Sequence, residues 1–142
     1  MSPVTRRVAG VLLLLLPTVM AGGVSILTLL VNEPGYRENQ LRQDLWRAGH
    51  AHAGVLLVLA LVALRYVDDA HLPDGARRFV RLAFPAAALC FPLAFFLSVL
   101  TPDATRPNAL INLAYVGALL LAAGVLTLGV GLIRGPKTPT DG

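Results

Sequence analysis

The stretch Arg47-Ala48-Gly49-His50-Ala51-His52-Ala53-Gly54 gathers the side chains of this chain best suited to chemistry. An imidazole can ligate a metal, exchange a hydrogen bond, or carry a proton near neutral pH. The setting raises the stakes, because residues 48–64 contain no Asp, Glu, Lys or Arg and the two histidines open that run. Ionisable groups at the edge of an apolar helix are costly and tend to mark functional sites. Helix geometry restricts the pair. At 100° per residue, positions 50 and 52 point about 200° apart, so both cannot ligate one ion without distortion. No metal site is therefore expected, His50 being the one residue that could act as a lone ligand. Gly49 and Gly54 flank it, so a neighbouring helix or a bulky group can approach that face.

Polar residues elsewhere fall at a similar depth. Ser25 and Thr28 lie near the end of one apolar run, Ser98 and Thr101 near the end of another, and Asn108, Asn112 and Tyr115 open a third. His50, His52, Arg47, Asn112, Tyr115 and Ser25 together form the candidate site, in the outer half of the molecule. The inner half is nearly pure Leu, Val, Ala and Gly.

The elements that position these residues are long apolar segments. Residues 8–32, 82–102 and 107–133 also lack Asp, Glu, Lys and Arg. A helix of roughly 20 apolar residues crosses a hydrocarbon core about 30 Å thick, and lipid leaves no other way to satisfy the backbone. The run at 48–64 reaches that length if Arg47 and Arg65 extend their charged heads to the two interfaces. Hydrophobic residues make up 56% of the chain and charged residues 14%, too apolar for a soluble domain of 142 residues. The expected fold is all-α, an integral membrane four-helix bundle. It forms one domain over residues 1–134, with spans near 8–31, 48–67, 82–101 and 108–133. The last residues, 135–142, read as a disordered cytoplasmic tail rich in Pro, Thr and Gly.

Residues 1–21 imitate a secretory signal, but the apolar character continues through Val31, beyond the roughly 7–15 residues of such a segment. An uncleaved first span is the expectation. Eleven of the twelve basic residues are Arg, a codon bias that suggests a bacterium. These arginines flank the apolar runs, so they indicate lipid headgroups and orientation rather than nucleic acid. With the amino terminus inside, the inner side carries Arg6, Arg7, Arg65, Arg77, Arg78, Arg81, Arg134 and Lys137, and the outer side Arg37, Arg42, Arg47 and Arg106. That asymmetry places both termini in the cytoplasm of a plasma-membrane protein. Residues 36–47, bracketed by Tyr36 and Trp46, suit a short helix at the interface, and residues 67–81 suit a solvated turn. The single cysteine, Cys90, excludes an intrachain disulfide and reads as an apolar filler.

Spacing also defines helix faces. Thr18, Ser25 and Asn32 recur every seven residues with Gly22 close by, and Pro17 should bend that span. Gly117, Gly124 and Gly131 form a heptad line roughly opposite Asn108, Asn112 and Tyr115. Small residues let helix backbones approach in lipid. Two such faces suggest that one meets the interior and the other meets a second copy or a larger membrane complex. The prolines Pro85 and Pro92, with Phe84, Phe91 and Phe95, read as filler.

Overall the chain resembles small bacterial four-span membrane proteins. Residues 45–54 also resemble the histidine-bearing second helix of haem–copper oxidase subunit I and related haem-b membrane proteins. That resemblance implies His50 as an axial haem b ligand and Arg47 as a propionate contact, although no other span supplies an opposite histidine. The four-helix family of eicosanoid and glutathione metabolism is set aside, because its Asn and Glu are missing here. Transport by proton coupling lacks an intramembrane carboxylate, and Ser–His–Asp hydrolysis lacks a buried acid. The expected role is a non-enzymatic accessory or interaction subunit of a membrane complex. The alternative is a haem-b or quinone-linked redox protein using His50, Arg47 and Tyr115 at the His50/His52 end of the second span.

Overall fold

A computed structural model describes residues 1–135, and it is all-helical over those residues. Most of the tail expected to be disordered, Lys137 included, lies outside them. Helix α1 spans Pro3–Asn32, α2 Pro34–Glu38, α3 Gln40–Tyr66, α4 Asp74–Ser98 and α5 Leu113–Ile133, with a 3-10 turn Ala109–Asn112 leading into α5. Four segments are long and apolar enough to cross a membrane: α1, α3, α4 and Ala109–Ile133.

Capping explains where these helices begin. The Ser2 hydroxyl accepts from the Thr5 amide and Pro3 occupies the first turn, so α1 starts ahead of its apolar run. The Asn39 side chain accepts from the Arg42 amide and starts α3 at Gln40. Residues 40–47 are thus the first two turns of α3, and only the five residues of α2 form a separate interfacial helix. At the far end Gly135, with φ 34°, turns the chain out of α5 in a conformation that favours glycine.

The long helices pack in series. Helix α3 lies against α4 and α4 against α5, while α1 rests on α3 and barely touches α4. No contact joins α1 to α5 among the described residues. The core is correspondingly one-sided, centred on Leu57, Ala60, Leu64, Val67, Val80 and Phe84.

The glycine line of α5 is the seam against α4. A Cβ on Gly117 would lie 3.0 Å from the Cys90 Cβ and 3.1 Å from the Phe91 ring. One on Gly124 would lie 3.2 Å from the Phe84 ring, and one on Gly131 would lie 2.6 Å from Leu72. All three glycines are buried, so this face is occupied within the chain and is not the one free for a second copy. The opposite face, with Asn112 and Tyr115, is exposed, Tyr115 by 71%.

Two polar nodes fix the ends. At one end the residues between α3 and α4 are structured around Asp68 rather than forming a merely solvated turn. Asp68 accepts from the Ser2 amide, the Thr5 hydroxyl (3.1 Å) and Arg81 (2.6 Å), while the Arg81 Nε–H donates to Thr5 at 2.9 Å. Burial acts to raise the Asp68 carboxyl, but the hydrogen bonds from Ser2, Arg81 and Thr5 and the Arg81 charge outweigh it and hold it at about 2. The His71 amide donates to the Gly131 carbonyl (2.8 Å), which brings the end of α5 to this same node.

At the other end Arg42 is buried. Its Nε–H donates to the Val99 carbonyl (3.1 Å), and its guanidinium stands 4.6 Å from the centre of the Trp46 ring and 5.7 Å from that of Tyr36. It thereby takes a carbonyl that the end of α4 leaves without a helical partner. Arg42→Ala is expected to cost about 2 kcal/mol through that charge-assisted bond and the ring contacts. Thermal denaturation in detergent measures it, and Arg42→Lys should recover less than half, because an ammonium lacks the planar fork.

Candidate functional site

The two histidines separate as helix geometry requires. His50, Arg47, Gln43 and Gly54 share the face of α3 turned toward α1 and α2. A Cβ on Gly23 would lie 2.9 Å from both Cε1 and Nε2 of His50, and one on Gly22 would lie 3.9 Å from Nδ1. The His50 ring therefore seats on two α1 glycines that leave room for it. A Cβ on Gly54 would meet Val19 of α1 at 3.8 Å, which continues the same contact one turn deeper.

His52 faces α4. Its Nδ1–H donates to the Ala48 carbonyl (2.7 Å), and the ring stacks on Phe91 with centroids 5.1 Å apart and planes 18° apart. Phe95 packs on it at 5.2 Å. Next to it, a Cβ on Gly49 would stand 3.1 Å from the Phe96 ring and 3.2 Å from the Phe95 Cβ, so α3 and α4 meet closely here. His52 is an element of helix packing, its polar edge satisfied by its own backbone.

The other polar residues do not converge on the histidines. Ser25 is exposed and its hydroxyl donates to the Ala21 carbonyl of its own helix (2.9 Å). Thr28 does the same to Val24 (2.9 Å). Ser98 donates to Phe95, and Asn108 donates to Leu97 while capping the turn at Leu110. Asn112, at the end of the 3-10 turn, and Tyr115, on α5, are exposed, and His50 does not face that helix. Arg47 turns outward to the Gln43 side-chain oxygen, and the Gln43 amide donates to the Tyr36 and Arg37 carbonyls of α2 at 3.1 and 2.7 Å.

What His50 does line is an apolar cleft between α1, α3 and α4 of about 190 Å³. Leu15, Gly22, Leu57, Pro85, Pro92 and Phe96 contribute to its walls. Pro92 has no N–H to donate, so the Ala88 carbonyl one turn back has lost its helical partner, and both residues line the cleft. His50 also lines a more open cleft of about 420 Å³ with Val19, Ala51, Gly54, Val55 and Val58. The Nε2 edge that would meet an iron is packed on Gly23. No cluster of three or more His, Cys, Asp and Glu exists among the described residues.

Tyr36 is the other notable group. It is 2% exposed, stacks near Trp46 at 5.6 Å, and its buried hydroxyl has no hydrogen-bond partner. Burial pushes the phenol above its usual value with Asp44 adding to it, against the opposing pull of Arg47 and Arg42.

Sequence reasoning missed Arg42, Gln43 and the Ser2–Thr5–Asp68–Arg81 node. Arg42 carried one local signal, its place four residues before Trp46, where side chains meet on a helix. No family model, curated protein or solved structure matches the chain.

Proposed function

We propose that this protein is a multi-pass protein of a bacterial plasma membrane that serves as a non-enzymatic accessory subunit, docking α1 on a helix of another membrane chain. The observation that carries this reading is an unpaired seam on α1. Thr18, Ala21, Ser25, Thr28 and Asn32 are all exposed, at spacings of three and four residues. That is the stripe along which two helices pack, here built from small residues that permit close approach in lipid. Of the most apolar stretch of α1, 6% is buried, so most of its surface, the seam included, faces outward. The seam hydroxyls of Thr18, Ser25 and Thr28 already donate to carbonyls of their own helix, so the surface can rest in lipid before a partner arrives.

Orientation follows from charge. The end that holds Ser2 and Asp68 also carries Arg6, Arg7, Arg65, Arg77, Arg78, Arg81 and Arg134, against Arg37, Arg42, Arg47 and Arg106 at the other. Cytoplasmic loops are enriched in Arg and Lys, which supports a cytoplasmic position for the end that holds Ser2 and the last turn of α5.

A photo-crosslinking residue at Ser25 in native membranes tests the docking surface. Discrete protein adducts are expected there and only lipid adducts at Leu119, an exposed residue of α5. Ala21→Trp, which thickens the seam, should abolish the protein adducts. Lipid adducts alone at both positions would overturn the proposal.

A further inference from the structure

A further cleft lies where α1 and α4 begin, and it differs in kind from the one between α1, α3 and α4. It encloses about 520 Å³, with an apolar floor of Val4, Val8 and Leu82 and a rim of Arg78, Arg81 and Asp74. Asp74 is fully exposed and paired with Arg77 at 3.2 Å. Arg81 is paired with Asp68. Arg78 is exposed and forms no ion pair with a described residue, so the rim keeps a free positive charge.

The two clefts follow one another along α1 and α4 and together outline a groove. On α1 the linings run Val4 and Val8, then Leu12, Leu15 and Val19; on α4 they run Arg78 and Leu82, then Pro85, Leu89 and Pro92. Each step is three or four residues, one turn, so both sets keep to a single helix face. The groove stays open because α1 rests on α3 and scarcely touches α4. At 1.5 Å per residue, 78 to 89 covers about 16 Å, close to one leaflet of a hydrocarbon core about 30 Å thick.

We infer that this groove binds one anionic phospholipid, its phosphate at Arg78 and one acyl chain lying along Val8, Leu82, Leu12 and Leu89. Charge complementarity selects the headgroup, since basic groups at the interface attract anionic lipid. The apolar floor and its length select a chain-bearing lipid over a free anion. The site rests on the chain crossing a bilayer; it meets the exposed seam of α1 only at Thr18, which lines the cleft between α1, α3 and α4, while Ala21, Ser25, Thr28 and Asn32 lie outside both clefts.

The test is native mass spectrometry of full-length protein released from nanodiscs containing equal phosphatidylglycerol and phosphatidylcholine of identical chains. Phosphatidylglycerol should be retained about fivefold over phosphatidylcholine, the preference expected of one interfacial arginine. Arg78→Gln should erase the preference, Arg134→Gln at the same end should keep it, and Val8→Trp should displace both lipids by filling the floor. Should Val8→Trp fail to fold, the two arginine variants decide alone. Equal retention of the two lipids, or an equal loss in Arg134→Gln, would reduce the effect to general surface charge and overturn the inference. Displacement of the lipid by inorganic phosphate would identify a free-anion site and overturn it as well.

Discussion

Asp68→Asn is expected to destabilise the protein by about 3 kcal/mol at pH 7, in the range for removing one partner of a largely buried ion pair. The side chains of Asp68 and Arg81 are 15% and 16% exposed, so Arg81 would lose its counter-charge where water does little to replace it. One of the two carboxylate oxygens would become an NH2 donor, so an asparagine whose oxygen still accepts from Thr5 would face the Ser2 amide with a donor. The effect depends on pH with a definite sign. Because the folded Asp68 carboxyl lies at about 2, below its ordinary 3.8, its ionisation stabilises the folded protein fully above pH 3.8. That contribution, about 2 kcal/mol, is lost as pH falls through the folded value. Melting temperatures of wild type and Asp68→Asn in detergent should therefore differ at pH 7 and converge toward pH 2. A constant gap across that range would contradict the account.

Gly117→Leu should be comparably damaging, at about 3 kcal/mol, the upper range for forcing extra atoms into a packed interior. The added side chain has little room, since even its Cβ would meet the Cβ of Cys90 and the Phe91 ring. Helix α5 packs almost wholly on α4, so a wedge here loosens the entire helix. Gly117→Cys offers a direct check of the same contact. The new Cβ would start 3.0 Å from that of Cys90, and a disulfide needs about 3.5–4.5 Å, a small outward shift. Mild oxidation should give an intrachain disulfide; a disulfide-linked dimer in its place would show that the glycine seam serves another copy.

The four long helices were legible because charge-free runs of that length have few other solutions. Their extents were less so. An apolar scan stops at charge, whereas α3 continues through Arg42 and Gln43, whose polar atoms are satisfied by the ends of α4 and α2. Angular spacing separated His50 from His52, but nothing local says which of them meets α1; that depends on Gly22 and Gly23 matching one imidazole from a distant part of the chain. Seven-residue spacing likewise marked Gly117, Gly124 and Gly131 as a packing face without identifying its mate, since a smooth seam suits any helix. Asn112, Tyr115 and Ser25 share a depth with the histidines, and depth alone does not bring side chains on different faces together. The Asp68 node left no periodic trace at all, being assembled from four residues, Ser2, Thr5, Asp68 and Arg81, on three segments.

The same node dictates an order of events during synthesis. The atoms that tether the start of α1 are 66 residues away at Asp68 and 76 residues from Thr5 at Arg81. Synthesis from the amino terminus therefore completes α1 and then α3, on which it rests, before either tether exists, so the α1–α3 contact comes first and the polar node closes on it afterwards.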